Sequence, residues 1–211
     1  MIVLIGSIGV FGVLTAIDGF QDNIPITLLK DDIGLVNKNP YSENYGEYVL
    51  LFEYPVYRFV ITGKSVLFTV TDNDRFTEYL ICLDSFMDEY DLGDFTIYVF
   101  QKDGGVYYLS KLDRGDRYAL FPAFEKIGGE AYVPIAPCEY FKLGTYSSYS
   151  SGDFHSLTTL SWDEIKAHYI TFYSDNITID NDQMQITLII DSSIEYLISY
   201  SNFSIHIELV E

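Results

Sequence analysis

The chain has 211 residues, 48% of them hydrophobic and 20% charged, with 19 Tyr and 15 Phe. That much apolar and aromatic side chain excludes a disordered protein, and the length supports one substantial core or two small packed subdomains. Thirty-one acids against 12 bases give a formal net charge of −19, which argues against a nucleic-acid groove, because phosphates need a positive surface.

Met1 to Ile17 carry no charge and are broken by Gly6, Gly9 and Gly12. The run lacks the positive leader and cleavage site of a secretory signal, and it is short for a membrane helix. It reads as one or two buried strands bent near Gly6 or Gly9. A short membrane anchor is the main rival, and an arm packed into a neighbouring subunit is a third reading. Ile24 to Leu29 reads as a short strand. Residues 37–46 form a polar loop rich in turn formers. Strand candidates follow at Glu47 to Glu53, Val56 to Ile61 and Ser65 to Thr71, the last two as a hairpin.

Residues 72–90 give the strongest helical pattern. Phe76, Tyr79, Leu80, Leu83, Met87 and Tyr90 recur at spacings of three and four, with Thr71 as the expected N-cap. Cys82 reads as a helix residue at the core. Asp84, Asp88 and Glu89 fall near the unfavourable helix end, so they form a solvent face or answer a partner. Phe95 to Phe100 and Val106 to Leu112 pair as a hairpin across QKDGG. Tyr118 to Phe121 and Ala131 to Ile135 are further short strands, and Cys138 sits at an expected strand start. Residues 143–156 form a polar Ser-, Tyr- and Gly-rich loop. It is an exposed binding loop or the boundary of a subdivision into 1–142 and 157–211; otherwise 1–211 is one domain.

Ser161 with Glu164 three residues later is a capping box, opening a second helix that ends by Tyr169. Tyr169 to Tyr173, Ile177 to Ile179, Met184 to Ile190, Ile194 to Tyr200 and Phe203 to Val210 read as strands, the last two as a hairpin. The predicted fold is mainly β, a β-sandwich or strongly bent mixed sheets, with two short helices and about a dozen strands. An α+β arrangement is the alternative.

Chemistry is sparse. The sequence holds no phosphate-binding glycine loop, HExxH, CxxC or nucleophile elbow. Cys138, His155 or His168, and Asp163 have the groups of a thiolate nucleophile, but their spacing does not bring them together. His206 reads as solvated on the polar side of the last hairpin. Asp72-Asn73-Asp74 and Asp180-Asn181-Asp182 offer oxygen ligands but not a full calcium loop, so they read as caps or turns. No cofactor and no metal are expected. Cys82 and Cys138 do not make a disulfide scaffold, though they are free to pair. Asn176-Ile177-Thr178 and Asn202-Phe203-Ser204 match the glycosylation pattern, which chance alone supplies often.

The remaining candidates for contact are aromatic and acidic. Tyr41, Tyr45 and Tyr48 flank the first polar loop, Tyr140, Tyr146 and Tyr149 the second, and Asp84, Asp88 and Glu89 add charge. Together they point to a non-enzymatic protein-interaction or assembly component whose partners are other subunits or a basic protein. Such parts occur in virions, by analogy alone, and a virion or the cytoplasm is the expected setting. An acidic inhibitor or immunity protein, including a nucleic-acid mimic, is the second reading. An enzyme with a site built from distant residues is the third.

Overall fold

The computed structural model describes residues 31–62, 64–112, 116–142 and 152–210. The expected strands within 1–17 and over 24–29 lie outside these residues, as do Tyr146 and Tyr149. The described chain is mainly β with two short helices. Its strands are β1 (Asp32–Val36), β2 (Tyr48–Glu53), β3 (Tyr57–Thr62), β4 (Ser65–Thr69), β5 (Phe86–Asp91), β6 (Phe95–Lys102), β7 (Gly105–Leu112) and β8 (Arg117–Pro122). They continue as β9 (Phe124–Ile127), β10 (Ala131–Pro134), β11 (Asp153–Leu157), β12 (Ile177–Asp180), β13 (Gln185–Asp191), β14 (Ile194–Ser201) and β15 (Ser204–Val210). Helix α1 (Asn73–Ile81) lies between β4 and β5, and α2 (Trp162–Tyr173) between β11 and β12.

A six-stranded sheet, β3-β4-β8-β7-β6-β5, is the central layer, and a five-stranded sheet, β11-β15-β14-β13-β12, packs beside it. Two small ladders, β1-β2 and β9-β10, complete the described pairing, which is antiparallel throughout. The central strands β6, β7 and β8 are nearly continuous apolar runs because both of their faces are covered. Phe95, Ile97, Val99, Tyr108, Ala119 and Phe121 enter one core with α2 and the inner face of the five-stranded sheet. Their alternating neighbours Tyr98, Phe100, Tyr107, Leu109, Tyr118 and Leu120 enter a second core with α1, β1 and β2. The period of two thus sorts one strand between two layers.

Turn chemistry fixes two of the registers. Asp103 and Gly104 both have positive φ between Lys102 and Gly105, which pair directly. Asn202 and Phe203 do the same between Ser201 and Ser204. Two successive positive φ values match the twist of the flanking strands. Phe203 is therefore a turn residue and 61% exposed, not the first inward residue of the last strand.

The structure corrects the sequence reading in three other places. The first helix ends at Ile81, and residues 86–91 form a strand. Its N-cap is Asp72 rather than Thr71, with the carboxylate accepting from Arg75 N at 3.1 Å. Cys82 is the exposed C-cap and does not reach the core. The second helix continues to Tyr173, because Ile165, Tyr169 and Tyr173 share one buried face at helical spacing. Met184 is exposed at positive φ, and β13 begins one residue later.

Candidate interaction surface

The first polar loop is anchored to the β6–β7 turn. Asn37, fully buried, donates to the Asp103 carbonyl at 3.1 Å and to Ser42 Oγ at 3.0 Å. Asn39 donates to the Gly104 carbonyl at 2.7 Å, and Asn44 to the Asp103 carbonyl at 3.2 Å. These side chains satisfy backbone acceptors of a distant hairpin, so the loop is part of the scaffold. Tyr41 and Tyr48 accordingly turn inward. Burial raises the Tyr41 phenol well above its ordinary range, and burial together with Asp32 pushes Tyr48 up to about 12. Tyr45 is the exposed member of the trio, edge-on to Tyr132 at 6.2 Å.

Tyr140 is half-buried in the 3-10 turn Glu139–Phe141, against Phe141 and Phe154. Its hydroxyl donates to Glu125 Oε1 at 2.6 Å, and Lys64 pairs with the other oxygen of that carboxylate. Glu125 is 4% exposed, and a carboxylate so placed needs such partners.

The acidic candidates lie on a different part of the surface. Asp84 is exposed in the turn after α1, and Asp88 and Glu89 are exposed on β5, an edge of the six-stranded sheet among the described residues. A bulge at Met87 reverses the parity of this strand. Phe86 pairs with Phe100 on the α1 side, whereas Tyr90 pairs with Ile97 on the α2 side. The register puts Asp88 opposite Val99 and Glu89 opposite Tyr98, so the edge carries carboxylates on both faces. None of these three acids makes an ion pair among the described residues.

The groups considered for catalysis do not assemble. Cys138 is fully buried, and burial pushes its thiol up to about 12, partly opposed by hydrogen bonds with Ser156 and the Tyr140 backbone. A thiol held that way is a poor nucleophile at neutral pH. His168 is buried against Tyr108, in the middle of α2 rather than at its end. His155 belongs to β11, with its Nε2 2.7 Å from Ser204 Oγ. The Asp72 and Asp180 side chains serve as a cap and a turn, Asp180 Oδ1 accepting from Asp182 N and Gln183 N. Both cysteines are free. An open cleft of about 530 Å³ beside α1 is lined by Tyr54, Pro55, Thr71, Asp72 and Arg75; its one carboxylate is already engaged in capping.

A metal-ligand set missed in the sequence does converge. One ligand atom from each of Asp153, His206 and Glu208 lies within 4.8 Å of the others. His206 and Glu208 share one face of β15 at a spacing of two, and the β11–β15 pairing adds Asp153, which is more than fifty residues away in the chain.

No helix among the described residues is long and apolar enough to cross a membrane. No protein-family model matches the chain, and no curated protein or solved structure matches it either.

Proposed function

We propose that this chain is a non-enzymatic protein-interaction component that contacts a basic partner through the acidic edge formed by Asp84, Asp88 and Glu89. The supporting observation is the placement of these carboxylates, exposed and free of ion pairs among the described residues, with Asp88 and Glu89 on both faces of one edge strand. β6 holds that strand in register, so Asp88 and Glu89 are presented from a paired strand, with Asp84 in the turn that leads into it. Like charges on an edge repel a second copy of the same edge. They attract a surface of Lys and Arg and steer its approach. If the basic surface it covers is the substrate-binding face of an enzyme, the same contact makes this chain an inhibitor.

The test is affinity capture with the full chain at low and high salt, alongside an Asp84→Asn/Asp88→Asn/Glu89→Asn variant. The expected result is a basic partner retained at low salt, released at high salt, and lost from the variant. Capture that ignores both salt and the substitutions would overturn the proposal.

A further inference from the structure

The strand pairing between β11 and β15 sets Asp153 opposite Glu208 and His155 opposite His206. Phe154, Ile205 and Ile207 fill the inner face of these strands. By alternation, the two His and two carboxylates share the outer face. The arrangement is a rectangle of four potential ligands on adjacent strands.

From this geometry we infer that Asp153, His206 and Glu208 form a surface site for a divalent first-row transition metal, with Zn²⁺ the best match. One imidazole nitrogen and two carboxylate oxygens already converge within 4.8 Å, and His206 Nε2 is 4.0 Å from Asp153 Oδ2. Ligand atoms around tetrahedral Zn²⁺ lie about 3.3 Å apart, given metal–ligand distances of about 2.0–2.1 Å. Small rotations of three partly exposed side chains close that difference, while the paired strands keep their Cα positions. A mixed nitrogen and oxygen set selects Zn²⁺, Ni²⁺ or Cu²⁺ over Mg²⁺ and Ca²⁺, which take oxygen alone.

His155 strengthens the assignment. Its ring centroid lies 6.3 Å from that of His206, and its Nε2 is 2.7 Å from Ser204 Oγ. A hydrogen bond from Nε2 to Ser204 would leave Nδ1 as the nitrogen for a fourth ligand, the usual outer-shell support for a metal-bound imidazole. Remaining positions open to solvent.

The test is Zn²⁺ titration of the full chain by calorimetry in excess Mg²⁺, which occupies the general acidic surface. The expected result is one Zn²⁺ per chain, with affinity reduced more than about tenfold in each of His206→Gln, Asp153→Asn and Glu208→Gln. Circular dichroism would verify that each variant is folded, and Cys82→Ser should leave binding unchanged. Displacement of Zn²⁺ by Mg²⁺, undiminished binding by folded His206→Gln, or loss of binding in Cys82→Ser would each overturn the assignment.

Discussion

The Tyr108 hydroxyl lies 2.8 Å from His168 Nε2 and 2.7 Å from the Ile135 carbonyl oxygen. The carbonyl can only accept, so the one phenolic proton goes there, and the imidazole donates from Nε2 to the phenol oxygen. His168 Nδ1 is then unprotonated, and it has no hydrogen-bond partner among the described residues. This pair ties α2 to β7 across the core between the two large sheets.

Burial lowers the His168 pKa from 6.5 to about 3, so the folded protein holds the ring neutral. The unfolded chain takes up a proton near pH 6.5, whereas the folded chain does so only near pH 3. The stability from keeping His168 neutral is therefore complete above the unfolded value and is lost as pH falls toward the folded one. At pH 4.5 the loss from this residue is about 2–3 kcal/mol. Urea unfolding at pH 7 and 4.5 should show that His168→Gln reduces the pH-dependent loss by about that amount. An unchanged difference would reject the assignment.

The two cysteines should differ in reactivity. Cys82 is exposed and Cys138 is buried with its thiol pushed up to about 12. A thiol reagent at neutral pH should label one cysteine per folded chain and two after denaturation. Rapid labelling of Cys138 in the folded protein would contradict its placement.

Phe76 is the centre of the aromatic core beneath α1. It is fully buried, with Tyr54 at 4.6 Å, Tyr118 at 4.8 Å, Phe52 at 5.8 Å and Phe68 at 5.9 Å between ring centroids. Phe76→Ala should cost about 3–5 kcal/mol in chemical denaturation, and Phe76→Leu less. A loss below about 1 kcal/mol from the alanine variant would argue against this core.

The Lys64–Glu125 pair predicts a strong non-additivity. Lys64→Met leaves the buried Glu125 carboxylate with the Tyr140 hydroxyl but no paired cation among the described residues. Because the Lys64 side chain is 33% exposed, the expected cost is about 1–3 kcal/mol, below that of breaking a fully buried pair. Adding Glu125→Gln removes the unpaired charge and should restore part of the loss. Additive costs in a double-mutant cycle would show the two residues to be uncoupled.

Gly34 stands where β1 shifts register against β2. A Cβ there would meet the Val49 carbonyl oxygen and lie 2.9 Å from Leu50 Cα. Backbone atoms cannot rotate aside, so Gly34→Ala should destabilise the protein by about 1–3 kcal/mol, read from its denaturation midpoint. An unshifted midpoint would remove the close approach.

The sequence determined the elements whose signals are local. The capping box at Ser161 and Glu164, the Asp103-Gly104 reversal and the alternation of Ile186 and Leu188 each act within a few residues, and each is present. The same local logic failed at Phe86 to Tyr90. There, helical spacing of apolar residues concealed a strand whose bulge sends Phe86 and Tyr90 to opposite layers. It failed also at Tyr169 to Tyr173, where β-branched and aromatic composition concealed the last turn of a helix. In both places burial against distant partners outweighed a propensity difference of less than about 1 kcal/mol per residue. The candidate surfaces depended on tertiary structure in the same way. The spacing of two puts His206 and Glu208 on one strand face, but nothing in the sequence brings Asp153 to them; the antiparallel register of two strands about fifty residues apart does. Composition alone established an acidic, aromatic-rich β protein, because those totals do not depend on the path of the chain. Which carboxylates stand together was decided only when the sheets closed.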